Sequence, residues 1–334
     1  PSNVVTNDDL AQHMDTSDAW IRKRSGIRER RFATDGETTA TMSVESGTRA
    51  LDCAGLDARD LDLILVANSS PDYLTPPVSS QVQAGLGAGP VGAMQLTVGC
   101  TGWVYALVTA QQFIQSGSAD RILVVGTELI SRWLSWNNRS TAVLFGDGSG
   151  AVVLEATDTP CGIRAHVLGS DGEGADAIIV PAGGVAQPST HETVAQELCN
   201  VKVKGREVFK FATRIMGTAL GDLLEKAGRT ADDVDLFIPH QANARIIRYA
   251  AEEYGLPSDK VVMNVDRYGN TSAASIPLAL SEALDDGRAK PGDTLAFVAF
   301  GAGLTWAAAL FDLAPDLPAW SASPPVQEAE PASA

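Results

Sequence analysis

Cys100 stands between an apolar run, Met94 to Val98, and a helix-patterned run, Thr101 to Ser116, in the string Val98-Gly99-Cys100-Thr101-Gly102-Trp103. A cysteine at the mouth of a helix is placed to be a nucleophile, because the free N–H groups and dipole of the first turn favour thiolate over thiol. The neighbouring glycines let a substrate approach the backbone closely. Two further polar groups fall at predicted strand ends, where α/β proteins keep their chemistry. His240 directly follows the buried strand of Phe237-Ile238-Pro239-His240-Gln241-Ala242-Asn243, and Asn270 precedes a helix in Arg267-Tyr268-Gly269-Asn270-Thr271-Ser272. Taken singly, a cysteine is usually a small buried hydrophobe, a loop histidine a satisfied hydrogen-bonding group and an asparagine a helix cap. Taken together, they read as a nucleophile with two polar partners.

Those residues need a scaffold, and composition bounds it. The chain has 334 residues, 45% of them hydrophobic, enough for a large core and for two packed halves. Its four cysteines, Cys53, Cys100, Cys161 and Cys199, are scattered without a C-x-x-C pair, and its four histidines show no ligand spacing. We therefore expect no disulfide framework, no metal, and a reducing, cytoplasmic setting. A formal charge of −16 argues against nucleic-acid binding. Basic residues are nonetheless clustered at Arg22, Lys23, Arg24, Arg28, Arg30 and Arg31, and again at Lys202, Lys204, Arg206 and Lys210. Such clusters are solvated faces or docks for a phosphorylated ligand or an acidic partner.

From Tyr73 to Ala119 there is no charged residue or histidine, so this stretch should be almost completely covered, as a central strand and helix and a subunit interface. Prolines, glycines and glutamines break it into pieces unsuited to a membrane span. A second uncharged run, Thr294 to Phe311, reads as two buried strands joined at Gly301-Ala302-Gly303. No signal peptide is visible, and a start at Pro1 is expected to be a trimmed one. Residues 314–334, rich in Pro, Ala, Ser and Glu, read as a disordered tail.

An internal repeat organises the rest. Ala54-Gly55-Leu56-Asp57-Ala58-Arg59-Asp60-Leu61-Asp62-Leu63 matches Ala227-Gly228-Arg229-Thr230-Ala231-Asp232-Asp233-Val234-Asp235-Leu236, and the same offset lays Asp120 over Asp293. Two related α/β halves follow, 1–157 and 158–313, each ending in a glycine-punctuated strand pair: Ala142 to Leu154 in the first, Thr294 to Leu310 in the second. Gly146-Asp147-Gly148-Ser149-Gly150 is not a dinucleotide fingerprint, since its spacing differs and a strand follows it. Cys100 lands opposite Ala273, so the scaffold does not itself require a thiol there.

With these residues in view, the chain resembles the β-ketoacyl-acyl-carrier-protein synthase III family of thiolase-fold condensing enzymes. The resemblance rests on Asp15-Thr16-Ser17-Asp18-Ala19-Trp20-Ile21 with Ser25-Gly26-Ile27-Arg28-Glu29-Arg30, Gly99-Cys100-Thr101-Gly102, Phe145-Gly146-Asp147-Gly148, His240-Gln241-Ala242-Asn243, Gly269-Asn270-Thr271-Ser272-Ala273-Ala274-Ser275, and Phe300-Gly301-Ala302-Gly303-Leu304-Thr305-Trp306. It implies two duplicated halves in a five-layer α-β-α-β-α sandwich, with one more strand normally preceding the position of Pro1. It also implies a homodimer acting on acyl-coenzyme A and malonyl-carrier protein, without a cofactor, to start fatty-acid or polyketide chains.

The implied chemistry begins with attack of Cys100 on the acyl thioester, the oxyanion resting on the N–H groups of Cys100 and Ala302. His240, neutral, and Asn270 then donate hydrogen bonds to the malonyl thioester as carbon dioxide leaves. By the same resemblance Trp20 and Arg139 sandwich the adenine of coenzyme A, with Thr16 and Arg24 nearby. Gly205, Phe209, Asn243 and Arg245 line its tunnel, and Phe145 and Phe300 belong to the substrate pocket. Thr75, where acetyl-selective members carry a bulky aromatic that crosses the dimer interface, implies a primer larger than acetyl. Lys210, Arg214, Arg245 and Arg248 are the implied carrier dock, although Glu252 and Glu253 replace a lysine pair found in some members.

Gly99 and Trp103, where alanine and phenylalanine are common, suit a specialised pathway. The alternatives are a family-related acyltransferase without condensation, or a priming ketosynthase of secondary metabolism. A papain-like hydrolase shares the residue trio, but duplicated halves and an uncharged surround of Cys100 suit an occluded acyl pocket better.

Overall fold

The computed structural model describes residues 1–317, so most of the predicted 314–334 tail lies outside the described residues. In the first half, helix α1 (Asp18–Ser25) is followed by α2 (Thr39–Ala54), strand β1 (Leu63–Ala67), α3 (Val78–Leu86), β2 (Gly92–Leu96), α4 (Gly102–Gln115), β3 (Arg121–Glu128) and β4 (Gly148–Glu155). In the second half come β5 (Gly162–Ser170), α5 (Gly205–Ala227), β6 (Leu236–Pro239), α6 (Ala244–Glu253), α7 (Ser275–Asp285), β7 (Thr294–Gly301) and β8 (Thr305–Asp312). One sheet has the order β2-β1-β3-β4, the other β6-β7-β8-β5.

The repeated ten-residue string has a mechanical explanation. Its glycines, Gly55 and Gly228, end α2 and α5 in the left-handed region, at φ 67° and 64°, where a side chain would be strained. Asp57 and Thr230 then cap a short 3₁₀ turn, with Asp60 and Asp233 returning the bond as capping boxes. The closing aspartates tie the next strand: the Asp62 carboxylate accepts the Arg121 N–H at 2.9 Å, and that of Asp235 accepts the Thr294 N–H at 2.8 Å.

Period-two alternation distributes the strands between layers. Leu65, Ile122 and Val124 face inward onto α4 and α7, together with Leu295, Phe297 and Ala299 of the second sheet. Ile64, Val66, Leu123 and Val125 face the outer helices α2 and α3. Ala296, Val298 and Phe300 face α5 and α6. Strands buried on both faces therefore read as continuous apolar runs. The result is the five-layer thiolase-like sandwich, with α4 and α7 as the shared central layer.

Two expectations are corrected. The strand pair of the first half is β3 with β4, antiparallel, and not Ala142 to Leu154. Residues 129–147 are inserted where the second half has only Ala302-Gly303-Leu304, and Ala142 ends a short helix at Arg139–Ala142. This insertion serves the site: Asp147 accepts N–H groups from Ala33 and Ser131 at 2.7 and 2.8 Å, while Phe145 forms a bridge with Asn270. Second, Arg30 leaves the surface cluster. It is fully buried, bonded to the Val5 and Val143 carbonyl oxygens, and burial pulls its pKa down to about 10. Within one chain the uncharged stretch leaves Tyr73 61% and Leu74 86% exposed, where its expected subunit interface would lie. Beside them, β2 is paired along one edge alone.

Candidate active site

Cys100 sits in a 3₁₀ turn, Gly99–Thr101, that leads into α4. The β7–β8 turn presses against it. A Cβ on Gly301 would lie 2.7 Å from the Cys100 nitrogen, and one on Gly99 3.0 Å from the Ala302 nitrogen. Both positions therefore call for glycine, and they let the β7–β8 turn pack directly against the Cys100 turn. Thr101 and Thr305 lock the two turns together through their hydroxyls at 3.0 Å.

The thiol itself departs from expectation. Burial pushes Cys100 up to about 12; the Ser272 hydroxyl and its own backbone N–H act the other way, and the nearby Glu128 charge adds to the rise. The helix N-terminus does not by itself deliver a resting thiolate, because desolvation of the anion outweighs it. The surround of Cys100 is not uncharged either. Glu128, at the end of β3 and fully buried, stands behind Ser272 and is missing from the sequence reading. A carboxylate closing an otherwise apolar strand, Ile122-Leu123-Val124-Val125-Gly126-Thr127-Glu128, is the signal that could have found it.

His240 leaves the end of β6, its backbone N–H held by the Val298 carbonyl oxygen at 2.8 Å and its ring edge-on to Phe300 at 5.4 Å. Its Nδ1 is 2.6 Å from the Ser275 hydroxyl, and its buried Nε2 has no hydrogen-bond partner among the described residues. Ser275 also accepts the Gln241 N–H at 3.3 Å, so its own proton is available for Nδ1. When that hydroxyl donates to Nδ1, the ring proton sits on Nε2 as a free donor. Burial drives the histidine pKa down to about 3, which keeps the ring neutral. Ser275→Ala should lower turnover of the step that uses this donor about tenfold, the effect of one hydrogen bond of ~1.4 kcal/mol. Histidine ¹⁵N chemical shifts would show the accompanying mixture of tautomers.

Asn270 is fixed by its backbone, donating to the Leu144 carbonyl at 2.8 Å and accepting from Gly146 at 3.0 Å. Its side-chain oxygen accepts the Ser272 N–H at 2.9 Å, which commits the oxygen and leaves the amide NH₂ to donate. Ser272 and Ser275 are thus positioning groups that the sequence reading passed over. They flank Ala273, on the turn that mirrors the Cys100 turn across the junction of the halves.

A second cluster gathers around Trp20. The guanidinium groups of Arg24 and Arg139 both lie over the Trp20 ring, at 4.4 and 5.0 Å, and Arg139 is paired with Asp15 at 2.9 Å. Arg139 stacks directly on the indole, which leaves no gap between the two. The Thr16 hydroxyl is buried with no hydrogen-bond partner among the described residues. Asn243 caps α6 and donates to the Arg24 carbonyl oxygen at 3.0 Å, while Arg245 lies over Phe209 at 5.1 Å. Gly205 opens α5 in free space. Lys210, Arg214 and Arg248 are exposed on α5 and α6 near Arg245, and none of these four forms an ion pair among the described residues. Thr75 stands apart in the exposed Tyr73–Pro77 loop and does not join the site within one chain.

Duplicated halves meeting around a cysteine, a histidine and an asparagine define a thiolase-fold condensing enzyme. The chain matches the family profile described as 3-oxoacyl-[acyl-carrier-protein (ACP)] synthase III over residues 94–172, and its C-terminal counterpart over 224–313. It is 48% identical over 308 residues to the beta-ketoacyl-[acyl-carrier-protein] synthase III of Symbiobacterium thermophilum, covering 92% of this chain and 93% of the relative. With that of Caldanaerobacter subterraneus it shares 46% over 310 residues, covering 93% and 94%. The crystal structure of the Aquifex aeolicus synthase III superposes with a TM-score of 0.86 at 42% identity, covering 93% of this chain and 96% of that one. A priming beta-ketosynthase from the R1128 polyketide pathway gives 0.86 at 34%, covering 94% and 93%. The chain belongs to the β-ketoacyl-acyl-carrier-protein synthase III family, whose members are condensing acyltransferases.

Proposed function

We propose that the protein starts acyl chains by a decarboxylating condensation in which Cys100 holds the primer and His240 and Asn270 stabilise the malonyl enolate. The observation that carries this reading is the pair of uncommitted donors: a neutral His240 with a free Nε2–H, and an Asn270 whose oxygen is already occupied. Two neutral donors suit an oxygen that gains negative charge. A papain-type asparagine would orient the histidine; here Ser275 does that. Acyl-coenzyme A enters past Trp20, Arg24 and Arg139, its thioester reaching Cys100 with the oxyanion on the Cys100 and Ala302 N–H groups. Coenzyme A leaves, malonyl-carrier protein follows, and the carbanion formed on loss of carbon dioxide attacks the acyl-cysteine. With both substrates present, product mass should show a two-carbon extension and released carbon dioxide; acyl transfer without either would overturn the reading.

The working unit in this reading is a homodimer in the cytoplasm. The unpaired edge of β2 and the exposed, uncharged Tyr73 and Leu74 favour a second copy as their cover. Across that contact Thr75 would reach the partner's acyl pocket and, being small, leave its floor open. Thr75→Phe should shift preference from four-carbon and longer primers towards acetyl by about tenfold in kcat/KM, one to two methylenes' worth of discrimination. A panel of acyl-coenzyme A primers checks this, and an unchanged profile sinks it.

Carrier docking is assigned to Lys210, Arg214, Arg245 and Arg248, with Glu252 and Glu253 trimming the positive field. Arg245→Glu should raise KM for malonyl-carrier protein severalfold at low salt, with the difference shrinking as salt screens it.

A further inference from the structure

A thiol that attacks a thioester must lose its proton, and His240 is badly placed to take it. In the tautomer that suits His240 as a donor, with Ser275 donating to Nδ1, Nε2 carries the ring proton and has no lone pair for the thiol's. The carboxylate behind Cys100 is Glu128. Its Oε1 accepts the Ser272 hydroxyl at 3.1 Å, and the turn that carries Ser272 packs against the turn that carries Cys100, where that hydroxyl eases ionisation of the thiol. Ser272 is held for this task at φ 50°, uncommon for a residue other than glycine, by its own N–H bond to Asn270.

We propose that Glu128 is the proton acceptor for Cys100 in acyl transfer, with the Ser272 hydroxyl as the bridge. As sulfur bonds to the acyl carbon, the S–H proton passes to the Ser272 oxygen while the serine proton passes to Glu128. One S–H bond breaks, one carboxyl O–H forms, and the serine ends with the proton count it began with. When condensation releases the cysteine as a thiolate, the carboxyl returns the proton by the reverse route. The remaining partners of Glu128 are uncharged: Asn68, the N–H groups of Ser69 and Ser70, and the Ser70 hydroxyl at 2.6 Å. No ion pair competes for it among the described residues.

Simple electrostatics predicts the opposite sign, which makes the proposal sharp. Removing a negative charge beside a thiol makes the thiol easier to ionise, so without a relay Glu128→Gln should acylate faster. With the relay it should acylate more slowly.

Single-turnover release of coenzyme A from acyl-coenzyme A, with no malonyl substrate, should fall about 10²-fold at pH 7 in both Glu128→Gln and Ser272→Ala. The deficit should narrow towards pH 10, where hydroxide replaces the base, and Glu128→Asp should recover part of the rate. Iodoacetamide labelling of Cys100, which needs no acyl substrate, should follow the same order and so stands even if condensation itself is not the reaction. Circular dichroism and melting temperature certify that each variant is folded; if Glu128→Gln is not, Ser272→Ala carries the comparison. A deficit constant from pH 6 to 10 would make Glu128 a purely structural tie, and an acylation rate equal to or above the parent's in the folded variants would also overturn the proposal.

Discussion

Cys100→Ala should take up no label from acyl-coenzyme A and should form β-ketoacyl product at least about 10³-fold more slowly than the parent, because the covalent step has no substitute. The same protein should still release carbon dioxide from malonyl-carrier protein, since His240 and Asn270 and the serines that orient them, Ser272 and Ser275, are untouched by the change. Trapping the acyl group by mass spectrometry and measuring carbon dioxide separately would check both halves of this expectation. Label remaining on the Ala variant would place the nucleophile elsewhere.

The reverse pattern is expected of the other two. His240→Ala and Asn270→Ala should each cut the condensation about 10²- to 10³-fold, the usual effect of removing one donor from a developing oxyanion, while single-turnover acylation of Cys100 proceeds. Combining them should cost less than the product of the two effects, as both donors serve one oxygen. The sign of the pH dependence follows from burial, which holds His240 neutral down to about pH 3. The condensation should therefore show no acid limb from histidine titration between pH 5 and 7. For stability, the unfolded chain binds a proton at its ordinary histidine pKa near 6.5 while the folded one does not. This histidine's contribution is present above pH 6.5 and is lost as pH falls from there towards 3. An acid limb with a pKa near 6 that disappears in His240→Gln would refute the neutral-donor role.

Much of the fold was legible because its signals are local. The glycine that ends a helix and the aspartate that caps a turn act within ten residues, and the aspartate that ties a strand 59 residues further on falls in the same string, so the repeat appears as matching strings. Doubly buried strands betray themselves as uncharged runs, and the β7–β8 hairpin lies where its glycines put it. The first-half pair was misread because Gly146-Asp147-Gly148 resembles a strand-turn signal. In fact it anchors Ala33, Ser131 and Asn270 from distant parts of the chain, and nothing local reports that.

The sequence by itself carried the family and the repeat and singled out Cys100, His240 and Asn270 as candidates, because each is marked by residue type at a short spacing. Only the tertiary structure decided the protonation chemistry. Whether a thiol ionises, which nitrogen of His240 holds the proton and whether Arg30 meets solvent depend on desolvation and on partners far along the chain. Cys100 looks activated when read from its helix and is held as a thiol by its burial, while Glu128 stands beside it from another strand. The free energy of a buried charge is set by everything around it, and that surround exists only once the two halves have closed on each other.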